Sequence, residues 1–162
     1  MDLKNRDGLK HVVKLIESDG YDFKLVKNWT PRLECGLQEY DKVFVPVYKI
    51  SHWCLAVINN KDKKFQYFDS LGGSDSQVMK VLAKYIVDEV AAKKNQRIDV
   101  SDWEREFVKN IPKQENSYDC GVFIMKYADF YSRKSDHLFG QKDMPYFRRR
   151  MALEILRLNA SE

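Results

Sequence analysis

Three features of the sequence predict an α+β fold: apolar residues at helical spacing near the start, a block of β-rich runs in the middle, and two later segments that return to helical spacing. Helix, then strands, then helices is the order of segregated layers rather than of strands and helices alternating one by one.

Leu9, Val12, Val13 and Ile16 stand at i, i+3, i+4 and i+7, which predicts a short amphipathic helix ending near Asp19-Gly20. A mixed, irregular stretch runs through Trp29-Thr30-Pro31. From Val43 the pattern turns to strands: Val43 to Ile50, Trp53 to Ile58, and Phe65 to Phe68. The polar run Asn59-Asn60-Lys61-Asp62 joins the last two as a hairpin. Ser74 and Gln77 have the spacing of a capping box, and Val78, Val81, Leu82, Tyr85 and Ile86 recur at helical spacing, so a helix is predicted over 75–93. A charged connection containing Trp103 follows. Cys120 to Tyr131 is apolar almost all round, the pattern of a helix buried in the middle of a domain. The last helix opens at Met144-Pro145, where proline suits a first turn, and continues through Phe147, Met151, Ile155 and Leu158.

Composition bounds the function. With 162 residues, 44% of them hydrophobic, the chain suffices for one domain, 1–162, that buries roughly 70% of its unfolded surface without staples. Lys and Arg number 28 against 24 Asp and Glu, a net charge of +4 spread through the same segments, which argues against direct nucleic-acid binding and a polybasic membrane patch. No apolar run approaches the roughly 18 residues a membrane span needs. The three cysteines, Cys35, Cys54 and Cys120, are an odd count without C-x-x-C spacing and without an apolar signal stretch at the start, which indicates a reducing compartment. His11, His52 and His137 lack zinc-finger spacing, so no metal site and no cofactor are expected.

Four residues can carry chemistry. A hairpin turn symmetric about the Asn60–Lys61 bond sets His52 directly opposite Asp69, with Cβ atoms about 4.5–5.5 Å apart. A carboxylate at that distance fixes the tautomer and orientation of a catalytic imidazole. The plainer alternative is that His52 ends a strand and Asp69 opens a turn with Ser70. Cys120 follows a polar, turn-forming segment and begins the apolar helix, and a helix N-terminus favours a nucleophilic thiolate. A buried core cysteine is the alternative there; Cys54, among Leu55, Ala56 and Val57, and Cys35, in its loop, fit that description better. Gln114, six residues before Cys120, can aim its amide at the same helix start as an oxyanion donor, a contribution of about 10²–10³ in rate.

Taken together, His52-Trp53, Phe68-Asp69-Ser70-Leu71, Pro112-x-Gln114-x-Asn116-x-x-Asp119-Cys120-Gly121 and Met144-Pro145-Tyr146-Phe147-Arg148 resemble the catalytic domain of the ubiquitin-like-specific, or SUMO/sentrin-specific, cysteine proteases. The likeness runs from about Tyr21 to the end and is strongest to plant members, through HWCLAVINN and LAKYIVDEV. It implies a papain-like α+β fold, with a central mixed sheet and a buried helix starting at the nucleophile. It implies cleavage after the C-terminal Gly-Gly of SUMO, in precursor maturation or isopeptide deconjugation, with SUMO and SUMO-conjugated proteins as partners of a nuclear monomer. The resemblance makes Cys120 the nucleophile, His52 the base and acid, Asp69 its orienter, Gln114 the oxyanion donor, and Trp53 the ring over the Gly-Gly tunnel, where a flat side chain packs on glycine backbone. Residues 1–20 lack the Trp-Leu-Asn-Asp-like segment with which such domains begin. The expectation is therefore an N-terminally truncated domain with half of its substrate clamp absent. A weak or inactive SUMO-binding remnant, and a protease for another ubiquitin-like modifier, stand as alternatives.

Overall fold

The computed structural model describes residues 21–30, 36–135 and 138–157. The expected helix around Leu9–Ile16 and the Cys35 loop lie outside them. A short first helix, α1 (Phe23–Val26), begins at Asp22, whose side chain accepts the Lys24 amide at 2.9 Å.

The three valine- and aromatic-rich runs form consecutive antiparallel strands, β1 (Lys42–Lys49), β2 (His52–Asn59) and β3 (Lys64–Phe68). Ile50 was expected to extend β1. Instead Ile50 and Ser51 are the two central residues of the β1–β2 turn, at φ 41° and 65° between the closing pair Lys49 and His52. Positive φ at both positions matches the right-handed twist of a two-residue hairpin. Neither residue is glycine or asparagine, which is why the turn carries no sequence signal.

A fourth strand, β4 (Glu104–Phe107), pairs parallel with β3 and makes the sheet mixed, in the order β1-β2-β3-β4. The sequence predicts only a charged connection here, because Glu-Arg-Glu-Phe has no apolar alternation. Charged side chains suit an edge strand, and its pairing is reinforced across β3 by Gln66 donating to Glu106 at 2.8 Å and by a 2.8 Å ion pair from Lys64 to Glu106.

Helix α2 (Ser76–Lys94) covers one face of the sheet. Its cap is Asp75 rather than Ser74: the Asp75 carboxylate accepts the Gln77 and Val78 amides at 2.9 and 3.1 Å, satisfying N–H groups the first turn leaves free. Val78, Met79, Leu82, Ile86 and Val90 pack against Cys54, Ala56, Ile58, Phe65 and Tyr67. The opposite face, with Leu55, Val57 and Phe68, is covered by α3 (Cys120–Ser132), which buries Val122, Phe123, Ile124 and Tyr127. Because β2 is sandwiched between the two helices, its two alternating sets are both apolar, and it reads as a continuous run. Helix α3 is buried along its first half and at Tyr127, while Met125 faces outward and Ala128, Phe130 and Tyr131 are half-buried. Helix α4 (Met144–Arg157) docks through Met144, Phe147 and Met151, while Ile155, expected on its packed face, is exposed.

Candidate active site

His52 is the first residue of β2, and Asp69 follows the last residue of β3. The ladder between them ends at Leu55 opposite Phe68, so continuing the register would set Asp69 opposite Cys54, not His52. The hairpin turn is thus centred one residue later than expected, and the partner slides by two. A slide of two preserves the face, where a slide of one would have reversed it. His52 therefore reaches Asp69 diagonally, Nε2 to Oδ1 at 2.8 Å.

Asp69 is held from several sides. Its Oδ1 also accepts the Leu71 amide at 2.8 Å, and its carbonyl accepts the Gly72 amide at 2.9 Å. A Cβ on Gly73 would stand 2.5 Å from Oδ2. The turn expected at Asp69-Ser70 and the contact to His52 are both present, so the two readings of this residue were not exclusive.

Cys120 opens α3 behind Asp119, whose carbonyl accepts the Val122 and Phe123 amides at 2.9 and 3.0 Å. The helix start thereby directs its remaining N–H groups and partial positive charge toward the cysteine's surroundings. Trp53 meets this helix start: its Cδ1 would lie 3.8 Å from a Cβ built on Gly121. The ring is set against Tyr48, with centroids 4.8 Å apart. The beginning of β2 and the beginning of α3 are therefore neighbours.

Gln114 is tied to the same group through Ser70. Its backbone N–H donates to the Ser70 carbonyl at 3.0 Å, and the Ser70 hydroxyl donates to the side-chain Oε1 of Gln114 at 2.6 Å. That fixes the amide orientation, so Nε2 points the other way and donates to the Asn116 carbonyl at 2.5 Å. Asp69-Ser70, Gln114 and the loop before Cys120 form one hydrogen-bonded unit. Ser70 was not assigned a role from sequence; a buried hydroxyl next to Asp69 is visible only once the strands are placed.

A second unit lies behind Cys120. Asp119 accepts from Asn116 Nδ2 at 2.7 Å, Gln141 Nε2 at 2.8 Å, and Arg148 through Nε at 2.8 Å and Nη2 at 2.5 Å. Burial opposes the charge on this carboxyl, but those hydrogen bonds and the guanidinium outweigh it and hold Asp119 below the usual carboxylate range. Asp119 and Arg148 belong to the quoted motifs, yet their pairing, across 29 positions, is invisible in linear spacing.

Cys54 is a core thiol as expected, and burial pushes it up to about 12. Linear spacing showed no metal motif, but the sheet brings His52, Cys54 and Asp69 together with one donor atom from each within 4.8 Å of the others.

The model of the Ulp1 protease family, C-terminal catalytic domain, matches residues 7–162. This chain belongs to that family. Among Ulp1-family relatives it is 48% identical over 149 residues to the ubiquitin-like-specific protease ESD4 of Arabidopsis thaliana, covering 91% of this chain and 30% of that protein. It is 50% identical over 151 residues to the putative ubiquitin-like-specific protease 1B of the same plant, covering 91% and 44%. Human sentrin-specific protease 2 is 37% identical over 143 residues, covering 87% and 24%. The chain thus spans less than half the length of these relatives. A solved Ulp1 protease domain in complex with Smt3, the yeast orthologue of SUMO, superposes with a TM-score of 0.70 at 24% identity, covering 93% of this chain and 75% of that one. A Ulp1 structure whose catalytic cysteine is oxidised to a sulfonic acid gives 0.71 at 25%, covering 93% and 76%. The mixed sheet with α3 buried against it is the papain-like α+β arrangement of the Ulp1 fold.

Proposed function

We propose that this chain is a SUMO-specific cysteine protease that hydrolyses the bond after the C-terminal Gly-Gly of SUMO, with Cys120 as nucleophile and His52, Asp69 and Gln114 in support. The observation that carries the proposal is the 2.8 Å contact between His52 Nε2 and Asp69 Oδ1, on the β2 end that abuts the Cys120 helix through Trp53 and Gly121.

With Nε2 bonded to an ionised Asp69, the imidazole keeps its proton on that nitrogen and presents Nδ1 as the base. Nδ1 takes the Cys120 proton as the sulfur attacks the glycine carbonyl, and returns it to the departing amine. The oxyanion that forms is met by N–H groups of the helix start and by the second Nε2 hydrogen of Gln114. Water then cleaves the thioester with the same imidazole as base. Trp53 offers a flat ring that packs on glycine backbone and leaves no room for a bulky side chain, which supports Gly-Gly selectivity.

Hydrolysis of SUMO carrying a C-terminal fluorophore tests the reading. Turnover abolished by Cys120→Ala supports it. SUMO binding without Cys120-dependent turnover replaces it with a binding remnant, and preferential turnover of another modifier's conjugate replaces the substrate.

A further inference from the structure

Among the described residues the proposed chemistry leaves one buried thiol unused, Cys54, which stands beside two residues the chemistry needs. His52 and Cys54 are two apart on β2 and so share a face of the sheet, and Asp69 enters that face from the end of β3. We infer that His52, Cys54 and Asp69 form an inhibitory site for a soft divalent cation of the zinc class, seated on the base and on its orienting carboxylate.

The donor set selects the ion. An imidazole nitrogen, a thiolate and a carboxylate oxygen are three ligands that zinc accepts together, with water in the fourth position. Magnesium and calcium require more ligands, all oxygen. Zinc bonds of about 2.0–2.3 Å set tetrahedral donors roughly 3.5 Å apart. The three donors already lie within 4.8 Å of one another, so closing the site asks for a displacement of about 1 Å.

Proton accounting explains why binding stops catalysis. Cys54 releases its thiol proton to solvent as it ligates. Nε2 of His52, which faces Asp69, can bind a cation only after its proton moves to Nδ1, the nitrogen that must accept the Cys120 proton. The cation thus removes the base and detaches its orienting carboxylate in one event. Ligation and loss of the thiol proton go together at Cys54, since a bound cation stabilises the thiolate.

The inhibition rests on the function proposed above, whereas the binding does not, so two measurements separate them. In the Cys35→Ser, Cys120→Ser chain, whose single remaining thiol is Cys54, cobalt(II) is expected to give a near-ultraviolet thiolate-to-cobalt band that disappears on adding Cys54→Ala. Absence of the band, or its persistence without Cys54, overturns the site whether or not the protein hydrolyses SUMO. In the otherwise unaltered chain, zinc is expected to inhibit turnover reversibly. Cys54→Ala is expected to retain turnover while raising the half-inhibitory zinc concentration by about 10-fold or more, the scale on which lost support weakens metal sites. Equal zinc sensitivity in both chains overturns the inhibitory role.

Discussion

Arg148 of α4 grips Asp119, the residue immediately before Cys120, through both Nε and Nη2, at 2.8 and 2.5 Å, and also donates Nη2 to the Tyr118 carbonyl at 2.9 Å. The last helix therefore fixes the start of the helix that carries Cys120, the proposed nucleophile. Both donors converge on Asp119 Oδ1, and the planar fork of a guanidinium lets Nη2 reach the Tyr118 carbonyl at the same time.

Arg148→Ala is expected to lower kcat by about 10–100-fold with a smaller change in KM, since sub-ångström misplacement of a nucleophile is costed on that scale. Arg148→Lys is expected to rescue little, because an ammonium lacks the planar fork that serves Asp119 Oδ1 and the Tyr118 carbonyl together. The stability loss stays near 1–2 kcal/mol, since Asn116 and Gln141 still bond Asp119 and the Arg148 side chain is 46% exposed. Steady-state kinetics and urea unfolding of the two variants check both parts.

Because the folded-state pKa of Asp119 is depressed, its contribution to stability is fully present above the unfolded carboxylate value of about 3.9 and is lost as pH falls through the lower folded value. Acid unfolding is expected to steepen in that window. Asp119→Asn is expected to flatten it, which melting temperatures taken across acidic pH will show.

Gly73 presses on the Asp69 carboxylate, the proposed orienter of His52. A Cβ there would stand 2.5 Å from Asp69 Oδ2, so Gly73→Ala forces the carboxylate, and with it His52, to shift. Since φ at Gly73 is not positive, the backbone accepts alanine. Activity is expected to fall about 10-fold or more while the melting temperature barely moves; equal losses in both would assign Gly73 a purely structural part.

The β1–β2 turn stores strain beside the site. Ile50, with φ 41°, is β-branched and 83% exposed, so its side chain gives back little packing. Replacing Ile50-Ser51 with Asn-Gly is expected to stabilise the protein by about 1–3 kcal/mol, read from urea unfolding.

Elements with a clear period were legible in the sequence: α2 from Val78, Leu82 and Ile86, and α3 from its unbroken apolar run, because each buries a face whose spacing is set by the helix itself. The His52–Asp69 contact was also legible, but through a register that differs by two, and it survived only because side chains repeat every two residues along a strand. What escaped depends on distant parts of the chain. Strand β4 is held by pairing with β3 rather than by its own composition, and Asp119 stays charged while buried because Asn116, Gln141 and Arg148 converge on it from three parts of the chain. Ser70 and Gln114 likewise become a pair only when the turn after β3 meets the loop before α3.

The most direct test is covalent. SUMO bearing a C-terminal electrophile is incubated with the chain and the adduct is mapped by peptide mass spectrometry. An adduct on Cys120 alone, lost in Cys120→Ser and slowed in His52→Ala and Asp69→Ala, is the predicted result. An adduct on Cys54 or Cys35, or one formed on Cys120 at the same rate without His52 and Asp69, contradicts it.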